Sequence, residues 1–430
     1  MRIALLPSQY YPSLGGVEEL TRNLAANLTK SGDQVEVWAP SPGTGTDTPT
    51  GAEYLDGIRV RRFHYPLPRA NPASLVPLLS EGLPTLKAML RAATDFQPDV
   101  INVQCFGPNG VYATALSKLT SLPLVVSLQG ETLMDDSDIY TISATMRAAL
   151  RAGIRQARCV TGCSAFTLRD AEARFGLERG AGRVVFNDAN PDMVGTREEM
   201  GLPDRLDFLE GTRYIACLGR VVDNKGFDLL LEAFNLIRSD HPGVHLVVGG
   251  SGSKLESLRR LADDLALSDR VHFPGRLSRY EVAQVLTSAT VFVMPSRLEP
   301  FGIVVLEAWR AGTAVIATSI GGPPEFVTDG ADGLLVDPHD TRRLADALSR
   351  VLSDDTLRHR IALAGKARFR DFQWPNLTFE YRKLYASVVS TSRPLRGQLL
   401  RGAIRKRAYA DQSSTGKIQL NQGNQGNSGS

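Results

Sequence analysis

The sequence predicts an α/β protein of two doubly wound domains, and three observations predict it. Short apolar runs rich in β-branched residues (RIALLP, VINVQ, LPLVVSL, RYIACL, VHLVVG, VFVMP, TAVIAT) alternate with longer stretches of helical periodicity, the rhythm of parallel βαβ units. At 430 residues, 43% hydrophobic and 22% charged, the chain is long enough for two separate cores. A charged stretch punctuated by Gly and Pro, from Pro191 to Gly211, interrupts the alternation and reads as an interdomain linker. The expected domains are therefore residues 1–192 and 193–373, with a further helix at about 374–390 and a tail over 391–430.

Composition excludes several classes. A net charge of +3, with no basic stripe interleaved with aromatics, argues against nucleic acid. Cys105, Cys159, Cys163 and Cys217 form no C-x-x-C pair and have no His at metal-ligand spacing, so the expectation is a reduced, cytoplasmic protein without a bound metal. MRIALLPSQYY reads as a first strand rather than a signal peptide, and no apolar run has the length of a membrane span.

In chain order, RIALLP is a strand, SQYYPSLGGVEE a Gly-rich turn, ELTRNLAANLTKSG a helix ending at Gly32, and QVEVWAP the next strand. Gly15 and Gly16 do not form G-x-G-x-x-G, and the strand ending Val37, Trp38, Ala39 lacks an acidic ribose ligand, which argues against NAD. Residues 41–57 read as a surface loop, IRVRRFHY as a strand, and Val76 to Ala93 as helical. PDVINVQ and LPLVVSLQG are strands whose carboxyl ends share one cleft. IYTISATMRAALRAGIRQA reads as one helix, CVTGCS as a strand, FTLRDAEARFG as a helix, and RVVFNDANPD as a strand entering a polar turn.

The second domain repeats the pattern from TRYIACLGRVVDNKGFDLLLEAF onward, and its most informative stretch is SRLEPFGIVVLEAWRAG, Ser296 to Gly312. Pro300 and Gly302 keep a helix from starting before about Ile303, and Gly312 stops it, so the helix runs from Ile303 to Ala311. It is apolar on nearly every side, which buries it between layers. Glu307 then needs a partner, because a buried, unpaired carboxylate is costly or takes up a proton. Two readings stay open: a pair with Arg310 at i+3 or a nearby backbone N–H, or a ligand whose hydroxyls donate to Glu307 while the amides of Gly302, Ile303 and Val304 face an anion. A sugar nucleotide offers both groups.

LGGVEE, LGRVVDNKGFDLLLEAF, VVGGSGS, PSRLEPFGIVVLEAWRAGTAVIAT and IGGPPEFVTDGADGLLVDPHD, in this order, resemble the family 4 retaining glycosyltransferases of GT-B fold, and the resemblance spans Met1 to about Val389. It implies two Rossmann-like domains facing across a cleft, a metal-independent transferase without a cofactor, a nucleotide-diphosphate sugar held mainly by the C-terminal domain, and a sugar, lipid or polyol acceptor held mainly by the N-terminal one. It further implies that FQWPNLTFEYRKLYASVV is a helix crossing back onto the N-terminal domain.

By the same resemblance Arg220 and Lys225 bind the donor diphosphate, a fork and a point charge suited to that task. Glu307 accepts from the ribose and Glu299 lies beside the transferred sugar. Gly302, Ile303 and Val304 offer amides, Gly16 lets the opposite domain's backbone approach the diphosphate, and Gly219, Arg276 and Leu277 complete the donor and base side. The first Glu and second Glu of E-x7-E are Glu299 and Glu307. The family lacks a placed protein nucleophile, which implies a front-face route in which the leaving phosphate takes the acceptor proton.

Two departures stand out. Gln129 occupies the position where many relatives carry His, so that position can hydrogen-bond a hydroxyl but cannot titrate; Glu131, Asp135 or Asp136 are the alternative contacts there. The turn commonly written N-G-x-D reads Asn187, Asp188, Ala189, Asn190. In the tail, Arg393, Arg396, Arg401, Arg405, Lys406 and Arg407 alternate with leucines; this is either a peripheral contact with anionic lipid at the inner face of the membrane or a solvated tail. The alternatives to transfer are a nucleotide-sugar-binding regulator or a phosphorylase or epimerase of the same fold. The sequence sets no oligomeric state, donor base or linkage.

Overall fold

The computed structural model describes residues 1–13, 15–42, 53–67, 78–134, 138–189 and 201–390. Its first domain opens with β1 (Arg2–Pro7), α1 (Gly16–Lys30), β2 (Gln34–Pro40) and the hairpin β3 (Glu53–Leu55) and β4 (Ile58–Phe63). It continues through α2 (Leu83–Phe96), β5 (Val100–Gln104), α3 (Pro108–Thr120) and β6 (Leu124–Leu128). α4 (Ile139–Ile142), α5 (Ala144–Gln156), β7 (Cys159–Gly162), α6 (Ala165–Phe175) and β8 (Arg183–Val184) complete it.

The second domain begins with β9 (Arg213–Leu218), α7 (Phe227–Ile237), β10 (Val244–Gly249), α8 (Leu255–Asp264) and β11 (Val271–Gly275). α9 (Arg279–Ser288), β12 (Val291–Met294), α10 (Ile303–Ala311), β13 (Ala314–Thr318) and β14 (Leu334–Val336) follow. The chain closes with α11 (Thr341–Ser353), α12 (Asp355–Arg368) and α13 (Trp374–Ser390). The sheets have the orders β3-β4-β2-β1-β5-β6-β7-β8 and β11-β10-β9-β12-β13-β14, parallel throughout except for the antiparallel β3–β4 pair. Strand order reverses at β1 and at β9, the two switch points where open α/β sheets form crevices.

Several expectations are corrected. The helix after β1 begins at Gly16, within the stretch read as a turn. Residues 53–57 are not loop: Asp56 and Gly57, at φ 51° and 76°, make the two-residue turn of a hairpin, and Glu53 is held by Arg62 at 2.9 Å. The single helix expected over 139–157 breaks at Ser143, whose hydroxyl caps α5 by accepting from the Met146 N–H at 3.2 Å. α3 and α12 had no clear sequence signal, and RVVFNDANPD contributes only the two residues of β8. The linker is shorter than expected on its second-domain side, because Leu206 and Leu209 are buried against that domain's core. Asn190, residues 191–200, the loop over 43–52, the start of the helical region near Val76, Asp135, Asp136 and the basic tail over 391–430 lie outside the described residues.

α13 crosses back as the resemblance implied. Trp374, Leu377, Tyr381, Leu384, Tyr385 and Val388 pack with Ile3, Leu5 and Val37 on one face of the first sheet. Two of these aromatics carry a polar tip into the sheet: Tyr385 donates to Asn102 Oδ1 at 2.7 Å, and Tyr381 OH accepts from Gln104 Nε2 at 3.3 Å. The domains also share an aromatic cluster. Phe186, just beyond β8, stacks on Phe301 with centroids 5.8 Å apart and touches Phe326 and Phe372. This cluster sits behind the cleft and fixes how the two strand ends face each other.

Trp374 is the pivot of that crossing, buried and donating its indole N–H to the Ala189 carbonyl at 3.2 Å. Trp374→Ala removes the ring and strands the carbonyl, so unfolding free energy in a urea titration should drop by about 3–5 kcal/mol.

Candidate active site

The turn after β12 is built first by backbone constraints. Gly302 sits at φ 98°, a left-handed conformation closed to side-chain-bearing residues at little cost, and it starts α10 without a side-chain cap. The first amides of α10 therefore face the cleft. The preceding residues are pinned from two sides. Glu299 N–H donates to Ile320 O at 3.2 Å and its carbonyl accepts from Gly322 N–H at 2.8 Å. Arg297 forks onto Asp228 at 2.8 and 2.5 Å, and its backbone N–H donates to Asn224 O at 2.9 Å. These bonds tie the turn after β12 to the turn after β9.

The tie brings Lys225 and Glu299 together. Lys225 Nζ donates to Glu299 Oε2 at 2.6 Å, and Ser296 Oγ donates to the same oxygen at 3.1 Å. Both side chains are mostly buried, 18% and 8% exposed, so the pair is a desolvated one.

Beside this pair lies a cavity of about 940 Å³ whose lining includes Gly219, Arg220, Arg276, Leu277, Val304 and Glu307. Its floor depends on close backbone packing in the GGSGS loop after β10. A Cβ on Gly250 would lie 1.8 Å from the Gly219 carbonyl oxygen. Lys254, Asn224, Ser251 and Ser253 also line it and were missed from the sequence. Lys254 follows the Gly/Ser loop directly, a signal that was legible but unused.

Glu307 reaches the cavity from the side of α10 that is not packed, so the helix is not buried all round: Val305, Leu306, Ala308 and Trp309 are covered, while Ile303, Val304 and Glu307 are partly open. Burial pushes the Glu307 carboxyl up to about 7, against the fields of Arg310 and Arg279. Among the described residues no group donates a hydrogen bond to it, which leaves its oxygens as acceptors facing the cavity. Arg310 also acts on Asp188, which burial likewise raises to about 7. So Arg310 serves a carboxylate at the domain junction as well as Glu307.

Across the cleft, Gly16 opens α1; a Cβ there would stand 3.7 Å from Ile303 Cδ1, so the two helix starts approach each other. Gln129 is set further back. Its Nε2 donates to Gln104 Oε1 and its Oε1 accepts from Asn187 Nδ2, both at 3.0 Å, in a buried amide chain that reaches Tyr381 through Gln104. Glu131 is not a cleft contact: its oxygens accept from the backbone N–H groups of Phe106 at 2.6 Å and Gln129 at 2.7 Å, and burial raises it to about 7. The structure thus gathers Gly219, Arg220, Arg276, Leu277, Val304 and Glu307 around one cavity. It sets Lys225 and Glu299 beside it, Gly302 and Ile303 at its helix start, Gly16 opposite, and Gln129 behind. Among the described residues no group of three or more metal-ligating side chains converges.

Comparison with known proteins gives two family matches: "Glycosyl transferases group 1" over residues 202–368 and "Glycosyl transferase 4-like domain" over 15–188. The chain is 30% identical to a D-inositol 3-phosphate glycosyltransferase of Frankia alni, covering 84% of this chain and 91% of that one. It is 37% identical to the lipopolysaccharide core biosynthesis glycosyltransferase LpsE of Rhizobium meliloti over 43% of this chain; that match spans about half, 52%, of the relative's length. Sucrose-phosphate synthase from Thermosynechococcus elongatus shares the fold, with a TM-score of 0.73 at 23% identity over 91% of this chain and 100% of that one.

The Lys225–Glu299 pair carries a stability consequence. Lys225→Ala strands a buried carboxylate and should lower unfolding free energy by about 3 kcal/mol, while adding Glu299→Gln should return much of the loss. Urea denaturation of the two variants checks both outcomes.

Proposed function

We propose a reaction for this chain, which belongs to the family 4 glycosyltransferases of GT-B fold: it moves a hexosyl unit from a nucleotide-diphosphate sugar to a hydroxyl of a sugar, lipid or polyol acceptor, with retention at the anomeric carbon and without a metal. The observation that carries the reading is that one cavity is lined by a desolvated carboxylate acceptor, Glu307, and by the cations Arg220 and Lys254. Hydroxyls of a ribose suit Glu307. The diphosphate suits the cations and the open amides of α10. The relatives' names, an inositol phosphate glycosyltransferase and a lipopolysaccharide core glycosyltransferase, support acceptors of this breadth.

In the proposed reaction the bond from the anomeric carbon to the diphosphate oxygen breaks as the acceptor oxygen approaches from the same face. Arg220 and Lys225 stabilise the charge gathering on the departing diphosphate, and a phosphate oxygen takes the acceptor proton. Lys225 divides its three donors between Glu299 and the phosphate, so Glu299 holds the ammonium in place while its second oxygen accepts from the sugar. Arg220, Lys254 and Arg276 in the cavity lining, with Lys225 beside it, supply the charge that a divalent ion supplies in other transferases, which supports the metal-independent reading. Retention without a protein nucleophile is supported by the commitment of Glu131 to two backbone amides. Gln129, fixed by Gln104 and Asn187, keeps one N–H and one lone pair for an acceptor hydroxyl.

A thermal-shift panel of UDP-, GDP- and ADP-sugars tests the reading directly, and a donor that stabilises the protein should be turned over once an acceptor is supplied; no shift with any of them counts against it. Arg220→Ala should lower kcat by about 10²–10³-fold with the melting temperature of the unliganded protein unchanged.

Glu307 gives the pH dependence. With its carboxyl at about 7, it is a neutral acid below that pH and loses acceptor strength, so nucleoside diphosphate affinity should rise as pH increases through 7 and level off above it. Titration calorimetry from pH 5.5 to 8.5 should show this rise for the native chain and a smaller one for Glu307→Gln, where only the ligand's own terminal phosphate, with a second pKa of about 6, still titrates.

A further inference from the structure

α1 and α9 meet across the mouth of the cleft through Glu19, the last residue of LGGVEE, and Arg279, which lies outside every motif. Arg279 is the first residue of α9, and its backbone is fixed by a capping box: Ser278 Oγ accepts from Glu281 N–H at 3.3 Å, and Ser278 N–H donates to Glu281 Oε2 at 2.7 Å. The Arg279 guanidinium forms an ion pair with Glu19, in the first turn of α1 on the other domain. Only one Glu19 oxygen is used; the other is buried with no hydrogen-bond partner. Arg279 also feels the Glu307 carboxylate electrostatically, so one cation acts on a carboxylate of each domain.

Position gives this contact its meaning. Glu19 lies three residues, about one helical turn, after Gly16, the residue that approaches Ile303 across the cleft. Arg279 lies two residues after Leu277, which lines the cavity. A rigid helical turn therefore links the ion pair to the α1 N-terminus on one side, and a capped helix start links it to the cavity wall on the other. Another ion pair between the domains, Arg169 with Glu325 at 3.5 Å, belongs to the α6 end, where Glu325 also accepts from the Ala165 and Phe166 N–H groups at 2.6 and 2.7 Å.

We propose that Glu19 and Arg279 are a positioning pair for transfer: their ion pair sets the α1 N-terminus at its working distance from the donor diphosphate and registers it against the wall that carries Glu307. The proposal rests on the nucleotide-sugar reading of the cavity. Neither residue takes part in bond making. The pair acts through the placement of the Gly16 backbone, where an error of about 1 Å is enough to lower a rate by up to about a hundredfold.

The test is a double-mutant cycle on the full chain, with calorimetric binding of UDP, GDP and ADP measured beside steady-state kinetics. Glu19→Gln should lower kcat between about ten- and a hundredfold while changing nucleoside diphosphate affinity far less, since that ligand is held by the other domain. Glu19→Asp, which keeps the charge, should recover part of kcat. The double variant Glu19→Gln with Arg279→Gln should lose no more than Arg279→Gln alone, because the two residues act as one unit. Native kcat in Glu19→Gln, an equal loss in Glu19→Asp, or additive losses in the double variant would each overturn the pair. If none of the three nucleotides binds the native chain, the nucleotide-sugar reading falls and the pair's role falls with it; binding together with native kcat in Glu19→Gln removes the pair alone.

Discussion

The contact on which the second domain's cavity depends is the buried bond between Lys225 and Glu299. A Lys and a Glu taken out of water are costly apart, and they become tolerable only with good geometry and further hydrogen bonds. The fold supplies these. Ser296 donates to the same oxygen, the Arg297–Asp228 fork holds the two turns in register, and the backbone of Glu299 is bonded to Ile320 and Gly322. The result is a preset arrangement in which the turn after β9 and the turn after β12 cannot move independently. Everything placed by those turns, from Arg220 and Gly219 to the start of α10, inherits that rigidity.

Three carboxylates near the cleft are pushed up to about 7 by the same cause, burial, yet their surroundings give them different work. Glu131 accepts two short backbone bonds and holds the loop after β6. Asp188 sits at the domain junction next to Trp374 and under Arg310. Glu307 has no donor among the described residues and faces the cavity. Desolvation by itself therefore does not mark the site; a desolvated acceptor that opens on a cavity does.

The N-terminal domain is organised around a polar seam rather than a charged pair. Asn102, Gln104, Ser127, Thr161 and Gln129 pass hydrogen bonds across β5, β6 and β7 and out to Tyr381 and Tyr385 of α13. Each buried amide is costly unless satisfied, and the network satisfies them jointly, so α13 is a structural requirement of the cleft floor as well as an apolar cover. Gln129 is the end of that seam nearest the cleft. Its fixed orientation follows from Gln104 and Asn187.

The α/β class and the helix from Ile303 to Ala311 were legible in the sequence because each rests on local rules, β-branched runs and a Gly at either helix end, whereas the crossing helix was legible through the family resemblance. The residues around E-x7-E that line the cavity were legible because they are close in sequence to the strand ends that carry them. The β3–β4 hairpin was written there too, in Asp56 and Gly57, and was masked by the polar company of the loop. What the sequence by itself could not decide was the partner of each charged group. Glu307 might equally have been closed by Arg310 on its own helix. Glu131 looked like a loop acid, and Glu19 and Arg279, separated by 260 positions, carried no shared signal. Those choices are made by distance and desolvation in three dimensions, where a partner is whichever group the packing brings within reach, and only the tertiary structure sets them.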